Sequence, residues 1–258
     1  DADFGVPALA AVARKVLQLA FAHGSGTVGA GATYFPLRAL AAADPVPPGI
    51  VPTLEVESEF DEAQLQRAVR RNLAAFLRLD MLAHGRPGLH MIRTLGPRLR
   101  IFCADGEQPD WVGFALAYGA AVLDIRRPLN RAQASLVADS DAVAVITPAA
   151  ASAVRPLLDA GAGVAAGSGF QMGSGGTCSM QTAALQLVRE GGLDIAEAIT
   201  LSTINAAHAL GVGASFGSIE AGKRADLLVL HLSDFRDMVN FTGVNVVSKI
   251  IQAGTLVL

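Results

Sequence analysis

Short runs of Val, Ile, Leu and Ala alternate along most of the chain with stretches of helical periodicity. A run too short for a helix, bounded by Gly, Pro or Asp, reads as a strand buried on both faces. Its regular alternation with amphipathic segments marks βα units around a parallel sheet. The pattern predicts seven strands, at Thr27–Tyr34, Gly49–Val56, Leu79–Ala83, Leu99–Ala104, Ala120–Ile125, Ala142–Thr147 and Gly163–Gly169. The clearest helix is Asp61–Phe76, with Leu65, Ala68, Val69, Leu73 and Phe76 on one face and Gln66, Arg70 and Arg71 on the other. Asn130–Ala138, Ala151–Ala160 and Asp194–Leu210 begin near capping residues, and Gly161 and Gly211 supply left-handed stops.

Seven βα units fall one short of the closed eight-stranded barrel. A helix over Val6–Ala22 precedes the first strand, and in a barrel it would follow a strand lying upstream of Asp1. The expectation is an α/β, TIM (β/α)8-type barrel over residues 1–212, contributing strands 2–8 with the first strand missing from this chain. From Gly217 onward the pattern changes to strands at Ala225–His231 and Val246–Leu258 without a long helix between them. So few short strands are marginal alone, so residues 213–258 are expected to form the C-terminal part of a small second domain and to pair with strands from elsewhere.

Composition narrows the function classes. With 258 residues, 52% hydrophobic and 17% charged, the chain can bury a large core. No apolar run reaches the roughly 18 residues of a membrane span. A net charge of -3, with Arg70-Arg71 and Arg126-Arg127 as mere pairs, argues against nucleic acid. Cys103 and Cys178 lack Cys-x-x-Cys spacing, which suggests a reducing compartment, cytoplasm or organelle matrix. No signal peptide is visible at Asp1.

The segment Thr200-Leu-Ser-Thr-Ile-Asn-Ala-Ala-His-Ala-Leu-Gly211, with Gly217-Ser-Ile-Glu-Ala-Gly-Lys-Arg-Ala-Asp-Leu-Leu-Val-Leu230, resembles the C-terminal signature of the amidohydrolase superfamily. The closing Phe241-Thr-Gly-Val-Asn-Val-Val-Ser-Lys-Ile-Ile-Gln-Ala-Gly-Thr-Leu-Val257 is most similar to its imidazolonepropionase branch, and Ala22-His-Gly-Ser-Gly-Thr-Val-Gly-Ala-Gly-Ala-Thr-Tyr34 resembles that branch's second-strand motif. The resemblance covers nearly the whole chain. It implies a TIM barrel with a small β-sandwich built from both chain ends, and hydrolysis of a lactam by a metal-activated water with a carboxylate as proton acceptor.

The resemblance also implies where those groups would stand. The family's first-strand His-x-His pair does not occur in this sequence. The fifth-strand His falls on Phe102, with Cys103 one residue further as a competent soft ligand. The sixth-strand His falls on Ile125, the eighth-strand Asp on Gly169, the second-strand Glu on Gly29 and the third-strand-loop His near Ser58. Tyr34, which contacts substrate in the family, is retained. The expected site is thus vestigial and lined by Tyr34, Ser58, Phe102, Cys103, Ile125 and Gly169, with no catalytic residue and no metal; zinc or iron is the alternative.

Other candidates have plain structural readings. His23 sits in a last helical turn, His84 and His90 flank a turn, and His208 and His231 are expected to face solvent. Of these, His84 would lie nearest the catalytic rim of a barrel. Gly167–Gly176 is glycine-rich like a phosphate loop but lacks its Lys, and Gly24-Ser-Gly is only a fragment of a nucleophile elbow. Three functions remain: an inactive amidohydrolase-like protein with a structural or assembly role, favoured with a protein partner or homo-oligomer; a binder of an apolar small molecule; or an active, divergent amidohydrolase using Cys103, Asp105 or Asp124.

Overall fold

In a computed structural model of the chain, residues 6–32, 49–56, 76–80, 98–102, 110–117, 119–170 and 177–258 are described. Seven parallel strands lie in sequence order: β1 (Thr27–Ala32), β2 (Gly49–Val56), β3 (Phe76–Asp80), β4 (Arg98–Phe102), β5 (Ala120–Ile125), β6 (Val143–Ile146) and β7 (Gly163–Ala166). All seven overlap strands expected from the sequence. Phe76, expected to end a helix, instead opens β3; the alternation Phe-Leu-Arg-Leu has the period of a strand, and pairing of Phe76 with Thr53 and Arg98 takes it. Residues 61–75 of that expected helix lie outside the described residues.

The first helix, α1 (Val6–Ala22), runs as expected. After β4 come α2 (Trp111–Ala117), which periodicity did not single out, and α3 (Arg131–Ala138). Helix α3 opens on a capping box in which Gln133 N donates to Asn130 Oδ1 at 2.9 Å and Asn130 N to Gln133 Oε1 at 3.0 Å. The helix expected over Ala151–Ala160 is instead a 3-10 turn, Pro148–Ala153, followed by α4 (Val154–Asp159). Pro148 starts the turn, and Ala150, at φ -119°, leaves the helical region.

Helix α5 (Met180–Gly191) is capped by Ser179, and the segment Asp194–Leu210 breaks into α6 (Ile195–Ser202) and α7 (Ile204–Ala209). The break falls at Thr203, at φ -116° and ψ -92°. The hydroxyls of Ser202 and Thr203 donate back to Ala198 O and Ile199 O, both at 2.7 Å, and such bonds compete with the helical ladder.

Strands β5, β6 and β7 each have two faces with different partners. Leu123, Ile125, Ala144, Ile146, Val164 and Ala166 pack against helical side chains such as Trp111, Val137, Leu157 and Leu187. The alternate residues Val122, Val145 and Ala165 form a second cluster with Val51 of β2 and Ala209 of α7. Contact between β2 and the distant β5–β7 places this cluster on the inner face of a curved sheet.

Two polar devices tie helices to this frame. The N–H of Gly167 donates to Ile146 O at 2.9 Å, so the odd-numbered residues of β7 bond toward β6 and Val164 O points to the other edge. There it accepts from Asn205 Nδ2 of α7 at 2.7 Å. Arg155 of α4 forks onto Glu197 of α6, at 3.1 and 2.7 Å, and also donates to Gly192 O, the C-cap of α5, at 2.7 Å. Glu197 meanwhile accepts from Asp194 N at 2.9 Å.

The C-terminal region holds β8 (Leu227–Leu230), β9 (Val247–Gln252) and β10 (Thr255–Leu256), an antiparallel sheet in the order β10-β9-β8. Among the described residues these strands pair with one another, with Leu227 and Leu256 both opposite Ile251. The sheet is joined to the rest by Asn245 Nδ2 donating to Ala22 O at 2.8 Å, and by close contact with Gly24. Gly24 has φ +90°, and a Cβ there would lie 2.8 Å from Leu228 Cδ1.

Candidate functional site at the strand ends

The carboxyl ends of parallel strands converge on one rim, where an α/β barrel can bring side chains from different strands together. Register fixes which residues share a level. Asp80 of β3 is opposite Phe102 of β4, Phe102 is opposite Asp124 of β5, and Asp124 is opposite Val145 of β6. Asp124 lies two residues beyond the inward Val122, so it shares the inner face, and it is only 8% exposed. Among the described residues it is one of two buried polar side chains; the other is Ser179.

The sequence expectation for β5 needs correction. Ile125 is fully buried in the helix-facing cluster and so does not line the inner face; alternation gives that place at this level to Asp124. Phe102 is the last residue of β4. Tyr34, Ser58, Cys103, His84, His90 and Asp105 lie outside the described residues. His23 is held by a 2.9 Å hydrogen bond between Nδ1 and Leu19 O, and His208 and His231 are exposed.

Gly169 follows β7 in the left-handed conformation, at φ +64°. A Cβ built on it would sit 3.1 Å from Thr147 Cβ and 3.3 Å from Thr147 Cγ2, and one on Gly167 would sit 3.0 Å from Val145 Cγ1. Val145 is an inward residue of β6, and Thr147 follows two residues on, just past the end of the strand, with its backbone still extended. The two glycines therefore let the rim of β7 close onto the inner side chains of β6. No spacing motif could have singled out Thr147.

Beyond Gly169 the rim loop is organised by small polar groups. Phe170 N donates to Ser168 Oγ at 3.3 Å, and residues 171–176 lie outside the described set. Ser179 N donates to Thr177 Oγ1 at 3.1 Å, and Ser179 Oγ accepts from Thr182 N at 3.3 Å. The hydroxyl thus satisfies one of the N–H groups that a helix N-terminus leaves free.

Residues 128–257 match the amidohydrolase family, slightly more than half of the chain. This chain belongs to the amidohydrolase family. Among curated relatives, the imidazolonepropionase of Deinococcus deserti is 40% identical over 150 residues, covering 55% of this chain and 37% of that protein. The imidazolonepropionase of Clostridium tetani is 29% identical over 172 residues, covering 64% and 41%. The chain thus spans about two fifths of the length of these relatives. Among solved structures, E. coli guanine deaminase superposes with a TM-score of 0.74 at 16% identity, covering 96% of this chain and 75% of that one. A mutant of the Arthrobacter aurescens atrazine chlorohydrolase, solved with zinc and atraton, gives 0.74 at 17%, covering 98% and 73%. At such identities the likeness establishes the fold, an α/β, TIM-barrel-like one.

Among the described residues no group of three or more His, Cys, Asp or Glu could hold a metal ion. At the end of β7, Gly169 has no donor atom, and a Cβ added there would crowd Thr147 at 3.1 Å. Position 169 therefore offers a metal no donor.

Proposed function

We propose that this member of the amidohydrolase family is not a hydrolase, and that its barrel is kept for binding or assembly, with a protein partner or a second copy as the natural associate. The observation that carries this reading is the described inner rim at β6 and β7, where Val145, Thr147, Gly167 and Gly169 stand and none of these four can accept a proton from a bound water. Similarity to imidazolonepropionases gives the substrate class to test. Purified full-length protein is expected to carry far less than one equivalent of zinc or iron by elemental analysis, and to leave a lactam such as imidazolonepropionate intact. Near-stoichiometric metal together with turnover would overturn the proposal.

One observation favours a second reading, an active but divergent hydrolase acting on a cyclic amide C–N bond. Asp124 places a buried carboxyl on the inner face, in register with the end of β4. If hydrolysis were found, Asp124→Asn should abolish it; a variant with full turnover would remove the support for this reading.

A further inference from the structure

The lack of a donor at position 169 has a particular cause, and it reaches beyond a missing carboxyl group. We infer that Thr147 and Gly169 are a matched pair: a side chain at position 169 is strained and crowds the Thr147 Cβ, which must give by a few tenths of an ångström, so restoring the acid alone does not restore a ligand there. The inference rests on the assignment of position 169 to the family's acidic place, but its geometry stands by itself.

Two separate obstacles meet at Gly169. Its φ of +64° lies where L side chains are strained. Independently, the direction its Cβ would take ends 3.1 Å from Thr147 Cβ and 3.3 Å from Thr147 Cγ2. That Cβ is not the loose tip of a long side chain. It is fixed to backbone at the end of β6, where Thr147 O accepts from Ala150 N at 2.9 Å to start the 3-10 turn. Rotating χ1 of Thr147 moves its Oγ1 and Cγ2 but leaves the Cβ in place. Relief therefore requires the strand end to give by a few tenths of an ångström or the Thr147 side chain to be removed.

The chain supplies its own control. Gly192, the C-cap of α5, has φ +68°, nearly the same backbone, yet a Cβ there would meet nothing within 4 Å. Alanine at Gly192 reports the left-handed strain alone, whereas alanine at Gly169 reports strain plus collision. Melting temperatures of Gly192→Ala, Gly169→Ala, Thr147→Gly and the Thr147→Gly/Gly169→Ala double variant separate the two. Gly192→Ala should lower the melting temperature by about 2–8 °C. Gly169→Ala should lower it at least twice as far, and in the Thr147→Gly background the same change should cost no more than Gly192→Ala does.

Gly169→Asp tests the chemical consequence. Equilibrium dialysis with zinc should show no equivalent gained over the parent chain. The inference fails if Gly169→Ala costs no more than Gly192→Ala, if Thr147→Gly leaves the extra loss unchanged, or if Gly169→Asp alone gains stoichiometric zinc. If Gly169→Ala does not fold, the comparison of the double variant with Thr147→Gly still decides it. Metal or turnover in the unaltered protein would overturn the proposed function and leave this melting series intact, so the two failures are distinguishable.

Discussion

Asn205 offers a sharp test of how the barrel edge is held. Its Nδ2 donates to Val164 O at 2.7 Å, and Val164 is only 1% exposed, so no water readily replaces the donor. Asn205→Ala leaves that carbonyl without its partner, at a cost of about 1–3 kcal/mol. For a chain of this size the loss lowers the melting temperature by about 2–12 °C. Asn205→Asp keeps the shape but sets a carboxylate oxygen against the carbonyl oxygen, so at pH 7 it should melt below Asn205→Ala.

The introduced carboxyl also gives a pH signature. Two facing oxygens favour its protonated form, which can donate, so its folded-state pKa lies above the unfolded value of about 3.9. Stability of this variant must then fall as pH rises through that window and recover on acidification. Thermal melts of wild type and both variants between pH 7 and pH 4 read this directly. Equal melting of the two variants at pH 7, or an Asn205→Asp deficit that grows in acid relative to Asn205→Ala, would refute the assigned bond.

Three further outcomes follow from the packing and charges. Leu187, fully buried between helices and sheet, should cost about 2–5 kcal/mol on replacement by Ala, measured by urea denaturation. Glu197 is held below its ordinary carboxyl value, first by its hydrogen bond to Arg155 and then by the backbone N–H of Asp194. Its contribution is therefore complete above the ordinary value near 4.5 and lost as pH falls through the lowered one, so the melting difference between wild type and Glu197→Gln should shrink in acid and in high salt. Gly24→Ala drives a Cβ to 2.8 Å from Leu228 Cδ1 and should loosen the C-terminal sheet, seen as faster proteolysis there; Leu228→Ala in the same chain should slow it again.

Much of the scaffold is written locally. Runs such as Ala120–Ile125 and Val143–Ile146 are short, rich in β-branched residues and bounded by turn residues, as doubly buried strands are, and Asn130 announces α3 by its capping box. The break at Thr203 is less legible, because Leu201 and the alanines beyond it keep helical periodicity while the hydroxyls undo the ladder. The site was harder still. Facing direction at Ile125 and Asp124 depends on which side of β5 the helices cover, a tertiary fact that alignment by motif does not carry. Gly169 drew notice through the family resemblance alone, whereas its close approach to Thr147, 22 residues away, leaves no spacing signature.

The two-faced strands carry a consequence for how such a chain diversifies. Residues such as Leu123, Ile125, Ile146 and Val164 secure the helices, while Val122, Asp124, Val145 and Ala165 face the interior of the curve. Substitutions on the second set can change what the rim offers a ligand without disturbing the first.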